Sequence, residues 1–355
     1  MKKVMKQILS GLVTFAMITG IVASSNITSS AAAKTPLAKH GRLSVSGAYI
    51  VDCHGKKVQL RGVSLHGIQH TNGGSTAFKD YINKKSFKQI RDKWGVNLVR
   101  IPVYTEEGGY CNGNQADMDK SIQKAVKLAN ELGMYVIIDW HILSDGNPAI
   151  HQAEAKKFFK KYAKKYKKYK NVIYEICNEP NGDGVNWQTV KQYAVDIIPA
   201  IRKYDKKALI VVGTPQWSQL VDEASYNPIT VDDYKHNGNH KKAPNVLYTI
   251  HFYAATHYDD IMNKVTTAHN NGLPIFCTEF SISDASGNGN IDQANADRWM
   301  SLLKKYKISY ACWSLSNCNE SSAIFNSWST KVNGWKNADI STTGHWFINK
   351  YKKKN

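Results

Sequence analysis

Nine prolines and 24 glycines in 355 residues, neither at a fixed spacing, are too few for a collagen-like or low-complexity chain. Cysteine is sparse too: Cys53, Cys111, Cys177, Cys277, Cys312 and Cys318 form no Cys-x-x-Cys pair, and no histidines stand at metal-ligand spacing. A disulfide scaffold and a small zinc module are thereby excluded. Beyond residue 33 no apolar stretch reaches the roughly 20 residues that a membrane-crossing helix needs. Acids are outnumbered, 28 against 47 bases, for a formal charge of +19. That balance raises nucleic acid and anionic surfaces as partners. What remains, 42% hydrophobic and 11% aromatic, is ample for a large buried core.

The first residues read as a targeting segment. Lys2, Lys3 and Lys6 precede a largely apolar run from Ile8 to Val22, followed by the small residues Ser29-Ser30-Ala31-Ala32-Ala33. This is the order of a secretory signal peptide, residues 1–33, which predicts a secreted protein with no membrane attachment after cleavage. An uncleaved anchor fits less well, because Gly11, Thr14, Thr19 and Gly20 interrupt the apolar run. Losing the segment removes three lysines and no acid, leaving +16 on the mature chain.

Residues 34–355 then alternate between two patterns. Eight β-rich runs fall at Val58–Gly67, Leu98–Tyr104, Tyr135–His141, Val172–Glu179, Leu209–Thr214, Val246–Tyr253, Pro274–Ser281 and Ser309–Ser316. Helical periodicity fills the gaps, as at Asp117–Leu132 and Asp292–Tyr306. Strands apolar on both faces, with helices between, predict an α/β protein with a helix-covered parallel sheet. Eight such units predict a single (β/α)8 TIM barrel rather than an open sheet, and no Gly-rich phosphate loop follows the first strand. Leu43–Gln59 reads as a short N-terminal β-hairpin closing the barrel floor, with its turn at Asp52-Cys53-His54-Gly55. Cys177, Cys277 and Cys312 lie inside strand runs and read as buried; a bridge among Cys53, Cys111 and Cys318 stays open.

The most basic stretch, Lys156–Lys170, holds nine lysines, with Phe158, Phe159, Tyr162, Tyr166 and Tyr169 at three- and four-residue spacing. That spacing makes an amphipathic helix whose rings are buried and whose lysines are solvated. Nucleic-acid binding would need those rings free to stack on bases, so it is set aside. Loose contact with anionic polymer remains compatible with the charge.

The strand ends collect the unusual residues: His66, Arg100 with Tyr104, His141, Asn178 with Glu179, His251 with Tyr253, Glu279, and Trp313. Any one of them is ordinary, since a lone strand-end Glu is commonly a salt-bridge partner and a lone His a packing residue. Seven strands of eight ending this way point to a cleft at the carboxyl ends, where barrel enzymes build their sites. Glu179 and Glu279, from strands four and seven, would share that cleft. Paired carboxylates without metal ligands suit glycosidic-bond cleavage: about 5–5.5 Å of separation means retention, about 6.5–9.5 Å inversion.

At these residues the chain resembles glycoside hydrolase family 5, and within it the bacterial cellulase-like members. The resemblance covers about residues 40–350. It rests on Tyr135-Val136-Ile137-Ile138-Asp139-Trp140-His141, on Ile173-Tyr174-Glu175-Ile176-Cys177-Asn178-Glu179-Pro180, on Thr278-Glu279-Phe280, and on Trp313-Ser314-Leu315-Ser316 followed by Glu320-Ser321-Ser322-Ala323. It implies a retaining double displacement, with Glu179 as acid/base and Glu279 as nucleophile. Glu179 would need a raised pKa, expected from the charge of Glu279. The resemblance further implies that Arg100 and Tyr253 hold Glu279 and that His251 supports Glu179. Asn178 would bond a sugar 2-hydroxyl, while His66, Tyr104, His141 and Glu320 serve the substrate. Trp313 would stack under a sugar ring and Trp217 would line the leaving-group side. No metal or cofactor is implied, and the expected partner is a β-glucan polymer or oligosaccharide bound by a monomer.

Two positions depart from the family pattern. His70 stands where cellulase-like members usually carry a Trp platform, and Cys318 where they usually carry a Lys reaching a glycone sugar. Both touch substrate preference, not the two glutamates. A β-mannanase or mixed-linkage β-glucanase is the neighbouring alternative, and a non-catalytic carbohydrate-binding barrel a more distant one. A serine esterase is excluded, because Gly62-Val63-Ser64-Leu65-His66 lacks the last glycine of a nucleophile elbow.

Overall fold

Period-two alternation decides this architecture. Along Leu98–Tyr104 and Tyr135–His141 every residue is buried, yet alternate side chains enter different cores. Leu98, Tyr135 and Ile137 join Ile173, Leu209, Val211, Leu247 and Phe276 inside a ring of strands. Val99, Ile101, Val136, Ile138 and Trp140 face the surrounding helices. A sheet buried on both faces in this way is covered by helices outside and closed on itself inside.

The computed structural model describes residues 34–352; the expected signal peptide lies outside them. Eight parallel strands form a closed barrel: β1 Arg61–Leu65, β2 Leu98–Tyr104, β3 Tyr135–His141, β4 Val172–Glu175, β5 Leu209–Val212, β6 Val246–Tyr253, β7 Ile275–Ser281 and β8 Ser309–Leu315. The main covering helices are α1 Lys84–Trp94, α2 Gln115–Glu131, α3 Gln152–Tyr166, α4 Trp187–Arg202, α5 Val221–Tyr226, α6 Asp259–Asn270, α7 Gln293–Tyr306 and α8 Thr342–Lys352. In α3, Phe158, Phe159, Tyr162 and Tyr166 are buried as expected, while Tyr169 falls beyond the helix. Asp292 caps α7, its side chain accepting from Asn295 N–H. Among the described residues no helix is long and apolar enough to cross a membrane.

The structure corrects four boundaries. β4 ends at Glu175, because Ile176 N–H still reaches Val211 O but Asn178 N–H turns back to Trp140 O. β1 begins at Arg61, later than Val58, and β5 stops at Val212 instead of Thr214. The N-terminal hairpin pairs Ser44–Ser46 with Tyr49–Val51, so it turns at Gly47 (φ +56°) and not at Asp52–Gly55. The latter is a second turn, in which Asp52 Oδ1 accepts from His54 and Lys56 N–H. Leu43, Ile50 and Val58 from this segment, with Leu60 just beyond it, do close the barrel floor. All six cysteines are free, Cys177, Cys277 and Cys312 buried, so the bridge left open among the others is not formed.

Candidate active site

Going up the barrel, the same inward columns change from apolar to polar. Leu98 is followed by Arg100, Ile137 by Asp139 and His141, Ile173 by Glu175, and Leu247 by Thr249, His251 and Tyr253. Between β6 and β7 the register slips from Thr249–Phe276 to His251–Glu279, and against β8 it slips again between Cys277 and Phe280. Such slips re-aim side chains beside active sites. Past β4, Glu179 rides on a tight segment held by Asn178 N–H to Trp140 O (3.1 Å) and by Ser218 Oγ to Asn178 O (2.6 Å). Gly213 permits this: a Cβ there would come 2.7 Å from Cys177 O.

Arg100 organises the floor of the site. Fully buried, it donates from Nε and Nη2 to Glu175 (2.7 and 3.2 Å), from Nη1 to Glu279 Oε2 (2.8 Å) and from Nη2 to Asn178 Oδ1 (2.6 Å). Asp139 Oδ2 stands 2.9 Å from Nη2 and 2.6 Å from His141 Nδ1. Glu279 accepts on its other oxygen from Tyr253 Oη (2.7 Å). Both of its oxygens thus accept hydrogen bonds, one from a cation, which is the pattern of an ionised carboxylate.

Glu179 has a different environment. Its Oε1 meets His251 Nδ1 at 2.8 Å, and its carboxyl is pushed up to about 8, first by burial and then by the charge of Glu175, with Arg100 opposing. This corrects the expected cause: burial, not Glu279, raises it. The same burial lowers His251 to about 4 and His66 to about 3, so both rings are neutral at pH 7. One oxygen each of Glu179 and Glu279, with His251, lie within 4.8 Å of one another.

These groups open into a cleft of ≈ 720 Å³. His66, Tyr104, His141, Glu179, Trp217, His251, Tyr253, Glu279, Trp313 and Glu320 all line it. Arg100 and Asn178 do not: they sit behind the wall, with Asn178 Nδ2 turned to His141 Nε2 (3.3 Å) and Ile142 O (3.2 Å). Trp313 lies parallel to His141 (centroids 5.7 Å apart) and tilted against His66 (4.9 Å). Trp217, 50% exposed, projects from three successive residues with φ near +55°, Gln216 to Ser218. That conformation costs roughly 1–2 kcal/mol per residue.

Asp139 and Glu175 are the buried groups that sequence reasoning passed over, although each is an acid inside an apolar strand, two residues from His141 and three from Asn178 respectively. Glu107, Gln219 and His257 also line the cleft unforeseen. His70 lines it too, edge-on to Tyr104 at 5.1 Å. Cys318 instead lines an adjoining cavity of ≈ 400 Å³ that shares Glu320 with the cleft. His66, Cys318 and Glu320 bring donor atoms within 4.8 Å of one another, but they are not disposed as metal ligands. Gly67 N–H donates to His66 Nδ1 (2.8 Å), which leaves the ring hydrogen on Nε2, the atom facing Glu320.

A closed parallel barrel with two facing glutamates at the carboxyl ends of its strands places the protein among the (β/α)8 glycoside hydrolases. Residues 51–319 match the family model described as cellulase, glycosyl hydrolase family 5. The chain belongs to that family. It is 42% identical to an endoglucanase of Clostridium saccharobutylicum over 340 residues, covering 96% of this chain and 71% of that one. Endoglucanase N of Pectobacterium atrosepticum is 40% identical over 93% of this chain and 70% of its own length. Among solved structures, the catalytic domain of Thermobifida fusca endoglucanase Cel5A superposes with TM-score 0.80 at 33% identity, over 90% of this chain and 99% of that one. A variant of that domain in complex with cellotetraose gives TM-score 0.79 at 33% identity, over 90% of this chain and 99% of that one.

Proposed function

We propose that the protein is a secreted, retaining endo-β-1,4-glucanase. The observation that carries the retaining assignment is the closeness of Glu179 and Glu279, whose nearest oxygens lie within 4.8 Å. That is nearer the short spacing, about 5–5.5 Å, of enzymes in which one carboxylate attacks the sugar than the roughly 6.5–9.5 Å of enzymes that interpose a water. Glu279, held by Arg100 and Tyr253, attacks the anomeric carbon. Glu179 gives its proton to the glycosidic oxygen, and the C–O bond breaks with its electrons on the leaving sugar. Water then adds to the glycosyl-ester carbon as Glu179 takes up its proton, and Glu279 is released. The environments support this division: one group carries acceptor-only bonds and the other is held protonated near neutrality.

Trp313, lining the cleft, offers its face to the apolar side of a sugar ring. The glucan assignment is supported by the names of the relatives and by the cellotetraose complex of the Thermobifida domain. Secretion is supported by the order of charge, apolar run and small residues in 1–33. The test is reducing-end release from soluble β-1,4-glucan, with β-mannan and mixed-linkage glucan alongside and Glu279→Gln as the blank. Glucan-led activity that disappears in the blank is expected; mannan-led activity would refute the substrate assignment.

A further inference from the structure

His251 is held from behind by Thr278, a fully buried residue with no access to the cleft. Counting hydrogens around Thr278 decides which atom of His251 is protonated. Thr249 Oγ1 reaches both Phe276 O (2.9 Å) and Thr278 Oγ1, and its one hydrogen serves either of them. Both oxygens of Glu175 accept from the Arg100 guanidinium, which assigns them as a carboxylate with no hydrogen to give, although burial leaves its pKa raised against the pull of Arg100. Thr278 Oγ1 therefore donates to Glu175 Oε1 (2.6 Å), and its lone pair is left to accept from His251 Nε2 (2.8 Å). A neutral imidazole carries one N–H. With that hydrogen on Nε2, Nδ1 is only an acceptor, and the 2.8 Å bond to Glu179 Oε1 needs its hydrogen from Glu179.

We propose that Thr278 is a positioning residue for the acid/base step: it locks His251 in the Nε2–H tautomer and thereby loads the proton on Glu179. The proposal rests on the assignment of Glu179 made above. Before substrate enters, the hydrogen stays on the Glu179 carboxyl and points at His251 Nδ1, and rotation about the C–OH bond can carry it to the glycosidic oxygen. Once it has been transferred, a carboxylate faces an imidazole lone pair, an unfavourable contact that drives Glu179 to take a proton from the incoming water. The other tautomer would donate to the carboxylate and weaken it as a base.

Other charges act on the pair from every side. They are Arg100 on β2, Asp139 and His141 on β3, Glu175 at the end of β4, Tyr253 on β6 and Glu279 on β7. Thr278 is the hydrogen-bond partner of Nε2, and Glu175 Oε1, 3.8 Å from the same nitrogen, favours the hydrogen there as well.

Thr278→Val removes the hydroxyl at nearly constant volume, and Thr278→Ser keeps it. In the valine variant the alkaline limb of kcat/KM is expected to move down by about one pH unit, with KM little changed, because Glu179 then accepts from Nδ1–H. The serine variant keeps the wild-type limb. Nitrogen-15 NMR of the histidines, assigned against a His251→Asn spectrum, is expected to give Nε2–H for His251 in the wild-type protein. Nδ1–H or an imidazolium there at neutral pH overturns the proposal, whether or not the valine variant folds. So does a wild-type limb in a folded Thr278→Val. Glu179→Gln run in parallel separates the two readings: if it keeps the alkaline limb, the role of Glu179 itself is wrong; if it loses the limb while the valine variant keeps it, only the part given to Thr278 fails.

Discussion

Arg100 and Glu175 meet as a fork, Nε to Oε2 at 2.7 Å and Nη2 to Oε1 at 3.2 Å, with no part of either side chain exposed. The pair is the base on which Glu279, the proposed nucleophile, stands, because the remaining Arg100 nitrogen, Nη1, is the one that reaches it. A planar guanidinium serves Glu175, Asn178 and Glu279 at once; an ammonium on a flexible stem cannot reproduce that geometry. Arg100→Lys is therefore expected to lose nearly all activity and to destabilise the fold by about 3–5 kcal/mol, the cost of leaving buried carboxylates incompletely paired. Urea unfolding followed by tryptophan fluorescence checks the second part. A Lys variant as stable as the wild type would show that the fork carries no structural burden.

Glu179 gives the protein a pH dependence with a definite sign. Its carboxyl rises from the ordinary 4.5 to about 8 in the folded chain. As a general acid it must be protonated, so kcat/KM should fall as pH rises through about 8. For stability, the folded state holds a proton between 4.5 and about 8 that the unfolded state has released, so stability declines as pH rises through that window. Glu179→Gln should flatten this slope and be more stable than the wild type at alkaline pH, by roughly 1–3 kcal/mol. Denaturation midpoints measured from pH 5 to pH 9 on both proteins would decide it.

Removing the acid should divide the two halves of the reaction. Glu179→Ala is expected to lower kcat on cello-oligosaccharides by about 10²–10⁴. On an aryl β-cellobioside with an acidic phenol the first step needs little protonation, so the glycosyl-enzyme should form and then accumulate. Azide, which attacks without a base, should restore turnover and yield the β-configured glycosyl azide. An α-configured product would overturn the retaining mechanism.

Much of the site was legible because polar residues at the tops of β2, β3 and β6 stand out from strands that are otherwise apolar on both faces. Those three strands also have the boundaries expected for them. β4 was read four residues too long because Ile176 and Cys177 continue its hydropathy after the ladder has ended, and hydropathy does not register a hydrogen bond turning back to Trp140. Asp139 and Glu175 were visible but unread. Period two places Asp139 in one column with Ile137 and His141, and Glu175 in one column with Ile173, so inward-facing acids could have been inferred. The desolvation that raises Glu179 was not legible, since burial is the work of many chain segments at once. The strong Asp-Cys-His-Gly turn signal also outweighed Gly47, which makes the hairpin turn.

Cys318 offers the sharpest test of substrate affinity. Its half-buried thiol lies within 4.8 Å of donor atoms on His66 and Glu320, at the rim where the cleft joins the second cavity. A thiol is a weak donor and leaves Glu320 without a cationic partner. Cys318→Lys should set an ammonium beside Glu320, able to pair with it and to donate to a sugar hydroxyl at that end of the cleft. One hydrogen bond from a charged donor, worth about 1.5 kcal/mol, corresponds to roughly a tenfold lower KM for cello-oligosaccharides long enough to reach it. The shortest cleavable substrates should show no such gain, and kcat should hold for all of them, because the two glutamates are untouched. A KM unchanged across chain lengths would mean that Cys318 does not limit glucan binding, leaving His70 as the departure to examine.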